Sequence, residues 1–260
     1  FNFSNFYNEI NFSNIIPYSA IFLGAICIFL IGIVDDFIYL NPRIRLFSQF
    51  LIGIIVWYFG LKFGNFDISF LGIGLNELVL PPGLNILVTV IFLAGMTNAI
   101  NWIDGLDGLA SGNVGITSIG ISMVLFFSDI PMNDFPLPLF LAGCSLGFLF
   151  YNYHPAKIYM GDGGSNFLGF MLASITIVMT QIHKPSISLL TVFFLNFLPI
   201  VNMLIVIVER ILNRLSPFYP DKRHIHYKMI RIGISHKNTV IILYLINILC
   251  IYISIRIQKI

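Results

Sequence analysis

The chain has 260 residues, 57% of them hydrophobic and 10% charged, with a mean hydropathy of +0.90 and a formal net charge of +2. Soluble domains carry roughly 25% charged residues, so the composition excludes an ordinary soluble domain and indicates a membrane protein. The small net charge gives no basis for a nucleic-acid partner, and the expected partner is the lipid bilayer.

The opening segment through Asn14 is rich in Asn and Phe, has no basic n-region and starts at Phe1. It does not read as a signal peptide, and the true N-terminus is expected to lie upstream. A spanning helix needs about 20 apolar residues, in a range of roughly 17 to 25. Runs of about that length lie at Ile15–Val34, Leu46–Leu61, Gly83–Trp102, Ala110–Phe127, Leu137–Tyr151, Asn166–Ile182, Ser186–Val208 and Asn238–Ile255. The fold class predicted is therefore all-α: a polytopic helical bundle of about eight spans, forming one domain over 1–260. Cys27, Cys144 and Cys250 sit inside these runs, away from CxxC or Cys/His spacing, and read as buried small hydrophobes. Gly24, Gly32, Gly143 and Gly147 are predicted to permit close helix contact.

Alternating the spans places the loops on two sides. One side receives Asp35–Arg45, the 98–109 stretch, Asn152–Ser165 and Glu209–Lys237; it carries Arg43, Arg45, Lys157, Arg210, Arg214, Lys222, Arg223, Lys228, Arg231 and Lys237. The other carries Lys62, Lys184, Arg256 and Lys259, with a small hairpin expected within Lys62–Leu80. Excess Lys and Arg mark the cytoplasmic side. Every polar island in the sequence falls there.

The first island is Asp35-Asp36, at the end of a span. A helix C-terminus carries partial negative charge, so two acids there need a cation or a donor; loose pairing with Arg43 or Arg45 is the simplest arrangement. The second is NAINWIDGLDGLASG, Asn98 to Gly112, with Asn98, Asn101, Asp104 and Asp107 three apart. Neighbouring members share a helix face. The full set drifts by about 60° per step at 3.6 residues per turn, so Gly105 and Gly108 are expected to loosen the helix and let both acids reach a common pocket.

The third island runs from Asn152 through Tyr159 to Gly161-Asp162-Gly163-Gly164-Ser165. Ser165 stands where an N-cap would precede the next span. A helix N-terminus suits a phosphate, while Asp162 suits a hard cation such as Mg²⁺. The fourth, Ser216–His226, contains Pro217, Pro220, Asp221, Lys222, Arg223, His224 and His226. His224 and His226 are two apart and share no helix face; no nearby Cys or His completes zinc spacing, so they read as a positive lip for phosphates. Ionisable groups at membrane depth are costly and mark function. Carboxylates, a divalent cation and a basic lip are the parts of phosphoryl transfer, which is mostly positioning and charge neutralisation. A transporter or channel would need a polar path, and the outer halves Ile86 to Phe92 and Ile119 to Phe127 are apolar.

These motifs, GIVDDF, NAINWIDGLDGLASG, YMGDGGS and PDKRHIHY, resemble in order those of the polyprenyl-phosphate N-acetylhexosamine-1-phosphate transferases over essentially the whole chain. The resemblance implies transfer of N-acetylhexosamine-1-phosphate, GlcNAc-1-phosphate first, from a UDP-sugar to undecaprenyl phosphate in a bacterial cytoplasmic membrane, with release of UMP and priming of a cell-envelope polysaccharide. It implies Mg²⁺, with Mn²⁺ as an alternative ion, on Asp162. Asn101, Asp104, Asp107 and Asn152 would hold the nucleotide, with Tyr159 stacked on uracil where the family usually has phenylalanine. Arg223, His224 and His226 would contact the sugar diphosphate. Asp35 and Asp36 would be the catalytic pair serving the lipid phosphate, by positioning, because a phosphate monoester is largely dianionic at pH 7. Tyr227 replaces the last histidine of the branch's usual HIHH. The MurNAc-pentapeptide branch, with its triple histidine, is the alternative; a homodimer and a non-catalytic scaffold are further expectations. Family members usually carry additional N-terminal spans and a basic loop before the Asp-Asp pair.

Overall fold

A computed structural model describes residues 12–72, 75–128, 136–182, 187–216 and 222–258. The opening segment, the Ser128–Pro136 and His183–Pro185 loops for the most part, and Pro217, Pro220 and Asp221 lie outside the described residues. The chain is a bundle of helices: α1 (Phe12–Ile38), α2 (Pro42–Tyr58), α3 (Pro82–Ile103), α4 (Leu109–Phe127), α5 (Pro136–Asn152), α6 (Gly161–Ile182), α7 (Leu189–Leu195), α8 (Phe197–Leu212), the short α9 (Ile225–Arg231) and α10 (His236–Gln258). Each expected apolar run coincides with a helix or a helix pair. Among the described residues five helices are long and apolar enough to cross a membrane, and α7 with α8 makes a sixth if that bent pair is one span. Helices α2 and α5 have 17 residues each, about 26 Å at 1.5 Å per residue, which is the short end of what a bilayer core requires.

The seventh run is not one straight helix. Helices α7 and α8 meet at 80°, and the sequence carries the reason. Pro199 lies in the first turn of α8, where it cannot donate to the carbonyl of Leu195 and its ring crowds that group. Asn196 sits at the break, its Nδ2 donating to the Val192 carbonyl at 3.0 Å.

Helix α6 is the central element. From Gly163 to Thr180 nearly every side chain is buried, as expected of a helix apolar on all faces. It packs chiefly against α1 and α3, with α4 on a third side. Two glycines allow this closeness. A Cβ on Gly32 would lie 2.5 Å from the Cα of Gly163, and one on Gly169 2.7 Å from the Cα of Thr97. Of the four glycines predicted to mediate packing, Gly24 and Gly32 do so, whereas Gly143 and Gly147 have nothing within 4 Å and face outward from α5. Cys27 and Cys144 are likewise exposed and only Cys250 is buried, so two cysteines lie on the outer, lipid-compatible face instead of in the core.

Exposed apolar side chains form the outer surface, among them Phe22, Leu23, Phe140, Phe150, Leu245 and Leu249. Several hydroxyls inside the bundle are satisfied along their own helices: those of Thr97, Ser174 and Thr176 donate to the carbonyls of Leu93, Phe170 and Leu172, the usual solution where water is absent. At the C-terminal end of α6, β1 (Phe66–Asp67) pairs antiparallel with β2 (Glu77–Leu78), giving the expected hairpin. It also pairs in parallel with β3 (Ile187–Ser188), which the sequence did not indicate. Gly64 and Gly60 tie this cap to Thr180 and Gln181. The N-terminal end of α6 is left for the polar islands.

Candidate active site

Helix α1 does not stop at Val34 but continues to Ile38. That extra turn places Asp35 and Asp36 on different partners. Asp35 is buried, accepts from the Leu40 N–H at 2.7 Å and is ion-paired with Arg45. Arg45 also reaches Asp162 Oδ2 at 3.1 Å. The pairing with Arg45 is thus a fixed three-membered bridge linking α1, α2 and α6, and not a loose surface contact.

Helix α6 begins at Gly161, four residues before Ser165, so Ser165 is not its N-cap. Its Oγ donates to the Gly161 carbonyl at 2.8 Å and accepts from Asn101 Nδ2 at 2.9 Å. The exposed N–H groups of the first turn are also taken. Asp36 Oδ1 accepts from Asp162 N at 2.7 Å and Oδ2 from Gly163 N at 3.1 Å. A carboxylate from α1 therefore holds the helix N-terminus that the sequence offered to a phosphate, which is the placement a helix dipole favours. Asp162 lies in this first turn, with Asn101 Nδ2 donating to its Oδ1 at 2.7 Å.

The Asn98–Gly112 stretch divides as the glycines predicted. Helix α3 ends at Ile103; Asp104 is its C-cap, and Gly108 adopts φ +81° just ahead of α4. Asn98 points to Gln49 and the Ala94 carbonyl, joining α3 to α2. Asp107 Oδ2 accepts from the Ala156 N–H at 3.1 Å and contacts His154 Nδ1 at 2.8 Å. Asn152 is buried and orders the same turn: its Oδ1 accepts from Gly108 N and Ser111 Oγ, and its Nδ2 donates to the Ile158 carbonyl.

Asp36, Asn101, Asp104, Asp107, Asn152, Tyr159 and Asp162 line one cleft of about 430 Å³, with Gly105 and Tyr227 on its wall. A second, mostly apolar cavity of about 640 Å³ lies between α2, α3 and α8 and includes Leu46, Phe50, Ile91, Met203 and Ile207. Asn101, Asp104, Gly105 and Tyr227 border both cavities. The polar cleft and the greasy one are therefore neighbours that share four lining residues.

The electrostatics of this wall are unusual. Burial first, and then the negative charges of Asp162 and Asp107, push the Asp104 carboxyl up to about 7. Burial would also raise Asp107, but the hydrogen bonds from His154 and Ala156 outweigh it and hold that carboxyl below its usual value. Because Asp104 binds its proton more tightly folded than unfolded, its own contribution to stability is fully present below about pH 4 and is lost as pH rises through 7. Thermal unfolding in detergent with chelator should show that decline between pH 4 and 7, and Asp104→Asn should flatten it; an unchanged slope in the variant would remove Asp104 as the cause.

The same crowding bears on a divalent cation. Asp162, Asp104 and Asp36 bring hard carboxylate oxygens to one cleft, and among the described residues no hydrogen bond reaches the Asp104 carboxylate. An oxygen-rich, net-negative site of this kind fits Mg²⁺.

The fourth island behaves differently from a positive lip. His224 and His226 are both buried, their rings stacked at 5.4 Å. Burial, then the charges of His224 and His236, push His226 down to about 3, so it is neutral at physiological pH. His224 is positioned by Asn202, whose Nδ2 lies 3.2 Å from its Nδ1 while its Oδ1 accepts from Ile225 N. Arg223 Nη1 lies 3.4 Å from the Glu209 carbonyl. Arg210, which read as loop charge, is instead 3% exposed and sits over Trp102 at 4.8 Å, on the wall of the apolar cavity. Arg210 and Asn202 are the site residues that sequence reasoning missed, and Arg45 was expected only as a loose partner of the acid pair. Their only signal was polarity at the margins of apolar runs.

A polytopic helical bundle with a carboxylate-lined cleft beside an apolar cavity defines a membrane-embedded protein built to handle a polar group together with a greasy one. The glycosyl transferase family 4 model matches residues 18–180, and the chain belongs to that family. It is 36% identical over 233 residues to the probable undecaprenyl-phosphate N-acetylglucosaminyl 1-phosphate transferase of Bacillus subtilis, covering 88% of this chain and 63% of that protein. It is 34% identical over 247 residues to the decaprenyl-phosphate N-acetylglucosaminephosphotransferase of Mycobacterium tuberculosis, covering 87% and 60%. It is 29% identical over 239 residues to the undecaprenyl-phosphate alpha-N-acetylglucosaminyl 1-phosphate transferase of Escherichia coli K12, covering 88% and 62%. The chain thus spans a little over 60% of the length of these relatives. The family match includes the first three islands and stops short of Arg223, His224 and His226.

Proposed function

We propose that the chain carries the catalytic region of a phosphoglycosyl transferase that moves GlcNAc-1-phosphate, or a close N-acetylhexosamine analogue, from its UDP-sugar to undecaprenyl phosphate. The observation that carries this reading is the adjacency of the two cavities, one polar and carboxylate-lined, the other apolar, with Asn101, Asp104, Gly105 and Tyr227 between them. A nucleotide sugar suits the first, a polyprenyl chain suits the second, and the reacting phosphates would meet at the shared wall. The reading includes a site on the cytoplasmic face of a bacterial inner membrane and a product that primes a cell-envelope polysaccharide.

In the reaction an oxygen of the lipid phosphate attacks the β-phosphorus of the UDP-sugar, and the bond from that phosphorus to the bridging oxygen breaks as UMP leaves. The lipid phosphate is largely dianionic at pH 7, so no obligatory base is required. That agrees with an Asp35 engaged by Arg45 and an Asp36 engaged by the α6 N-terminus; their role is to fix Arg45 and the start of α6, and with it Asp162, beside which the phosphates would be aligned. Mg²⁺, with Mn²⁺ as the alternative, would be held by Asp162 with neighbouring carboxylates and would supply charge neutralisation at the diphosphate. Asp107 and Asn152 order the turn that would hold the nucleotide, Tyr159, 78% exposed on the cleft, is free to stack on uracil, and His224, together with the neutral His226, would offer hydrogen bonds to the sugar diphosphate.

The test is UMP release by the purified full chain with UDP-GlcNAc and undecaprenyl phosphate. Release is expected only when the lipid and Mg²⁺ or Mn²⁺ are both present. Release without lipid, or none with any of a panel of UDP-N-acetylhexosamines, would overturn the reading.

A further inference from the structure

Three residues from separate segments meet on the flank of the cleft. Asp107 lies in the turn between α3 and α4, His154 in the loop after α5, and His236 is the first residue of α10. One ligating atom from each falls within 4.8 Å of the others. The rings of His154 and His236 are stacked with centroids 4.2 Å apart and planes at 23°, and Asp107 Oδ2 lies 2.8 Å from His154 Nδ1. His236 Nε2 is enclosed and has no hydrogen-bond partner among the described residues. A buried ring nitrogen left unpaired is costly, and here it belongs to a side chain already beside a second imidazole and a carboxylate.

We propose that Asp107, His154 and His236 form a binding site for a borderline transition metal of the Zn²⁺ class. Two imidazoles and one carboxylate are the donor set that Zn²⁺ takes with a position left open, at about 2.0–2.2 Å per ligand. At those distances tetrahedral ligands stand about 3.4 Å apart, so the widest separation in the trio must shorten while the 2.8 Å pair of Asp107 and His154 parts slightly. His154, with 41% of its side chain exposed, can make that movement at the expense of its hydrogen bond to Asp107, while the Ala156 N–H continues to orient the carboxylate. Imidazole donors distinguish this site from the carboxylate ligands offered by Asp162 and its acidic neighbours. Imidazole suits Zn²⁺ and its first-row neighbours, with Co²⁺ as a spectroscopic stand-in, whereas carboxylates and carbonyls suit Mg²⁺. A metal so held clamps three segments that frame the cleft, and it fixes Asp107, which also lines the cleft. The site does not depend on what the cleft binds.

The purified full chain, stripped with chelator and kept in excess Mg²⁺, is titrated with Zn²⁺ and with Co²⁺. One equivalent of Zn²⁺ is expected to bind despite the Mg²⁺, and Co²⁺ is expected to give visible d–d absorption that Zn²⁺ abolishes. His154→Gln and His236→Gln should each weaken Zn²⁺ binding by about tenfold or more. A second measurement needs no variant: Zn²⁺ should protect His154 and His236 of the unaltered chain from carbethoxylation by diethyl pyrocarbonate, read by mass spectrometry. Absence of stoichiometric Zn²⁺ binding, displacement by Mg²⁺, or unaltered modification of both histidines would overturn the site and leave the trio a hydrogen-bonded cluster only.

Discussion

Asp162→Asn is expected to lower UMP release by about 10²–10³, in the range seen when one preorganised electrostatic group is removed from a reacting centre. The substitution keeps the volume and removes one negative charge. Its structural cost is small by comparison. The amide oxygen can still accept from Asn101 or Arg45, and the favourable interaction of the carboxylate with the α6 dipole is worth roughly 0.3–1 kcal/mol. The two contributions can be separated by experiment: unfolding in detergent should move little while turnover falls, and raising Mg²⁺ should recover part of the activity. Turnover within tenfold of the unsubstituted chain would mean that Asp162 carries neither the metal nor the charge the reaction needs.

The second large effect is on stability. Arg45→Met leaves the buried Asp35 with one hydrogen bond, from Leu40, and deprives Asp162 of a cation. Removing one partner of a buried ion pair costs about 3–5 kcal/mol, mostly as the penalty of the stranded charge. Arg45 is 17% exposed on its side chain, so the lower end of that range is expected. The double variant Arg45→Met/Asp35→Asn should recover more than half of the loss, because the neutral amide no longer needs the guanidinium; denaturant unfolding of the four species of the cycle measures the coupling. Additive losses would show that Asp35 and Arg45 are not energetically coupled.

Much of the fold was legible in one dimension because the bilayer imposes a strong rule on sequence. Each span must be long, apolar and internally hydrogen-bonded, and the eight runs coincide with helices or a helix pair. The break at Asn196 was also encoded, by Pro199, although the continuous hydropathy concealed it. Helix packing was only half legible. All four glycines invited contact by composition, but Gly32 meets Gly163 while Gly143 faces outward, and that depends on which face of α1 or α5 the rest of the bundle covers.

The sequence by itself determined that this is a helical membrane protein with its polar residues gathered into islands, and a charge cluster in an apolar chain is costly enough to mark a candidate site. Only the tertiary structure decided what each charge touches. Asp36 closes the helix end that had looked ready for phosphate, Arg45 joins Asp35 to Asp162, and Arg210 lies buried over Trp102. His154 and His236 meet beside Asp107 although they stand far apart in the chain. The physical reason is common to all of these. Hydrophobic periodicity is a local property and fixes elements, whereas hydrogen bonds and ion pairs between loops depend on distances that exist only once α6 has drawn α1, α3 and their flanking turns together.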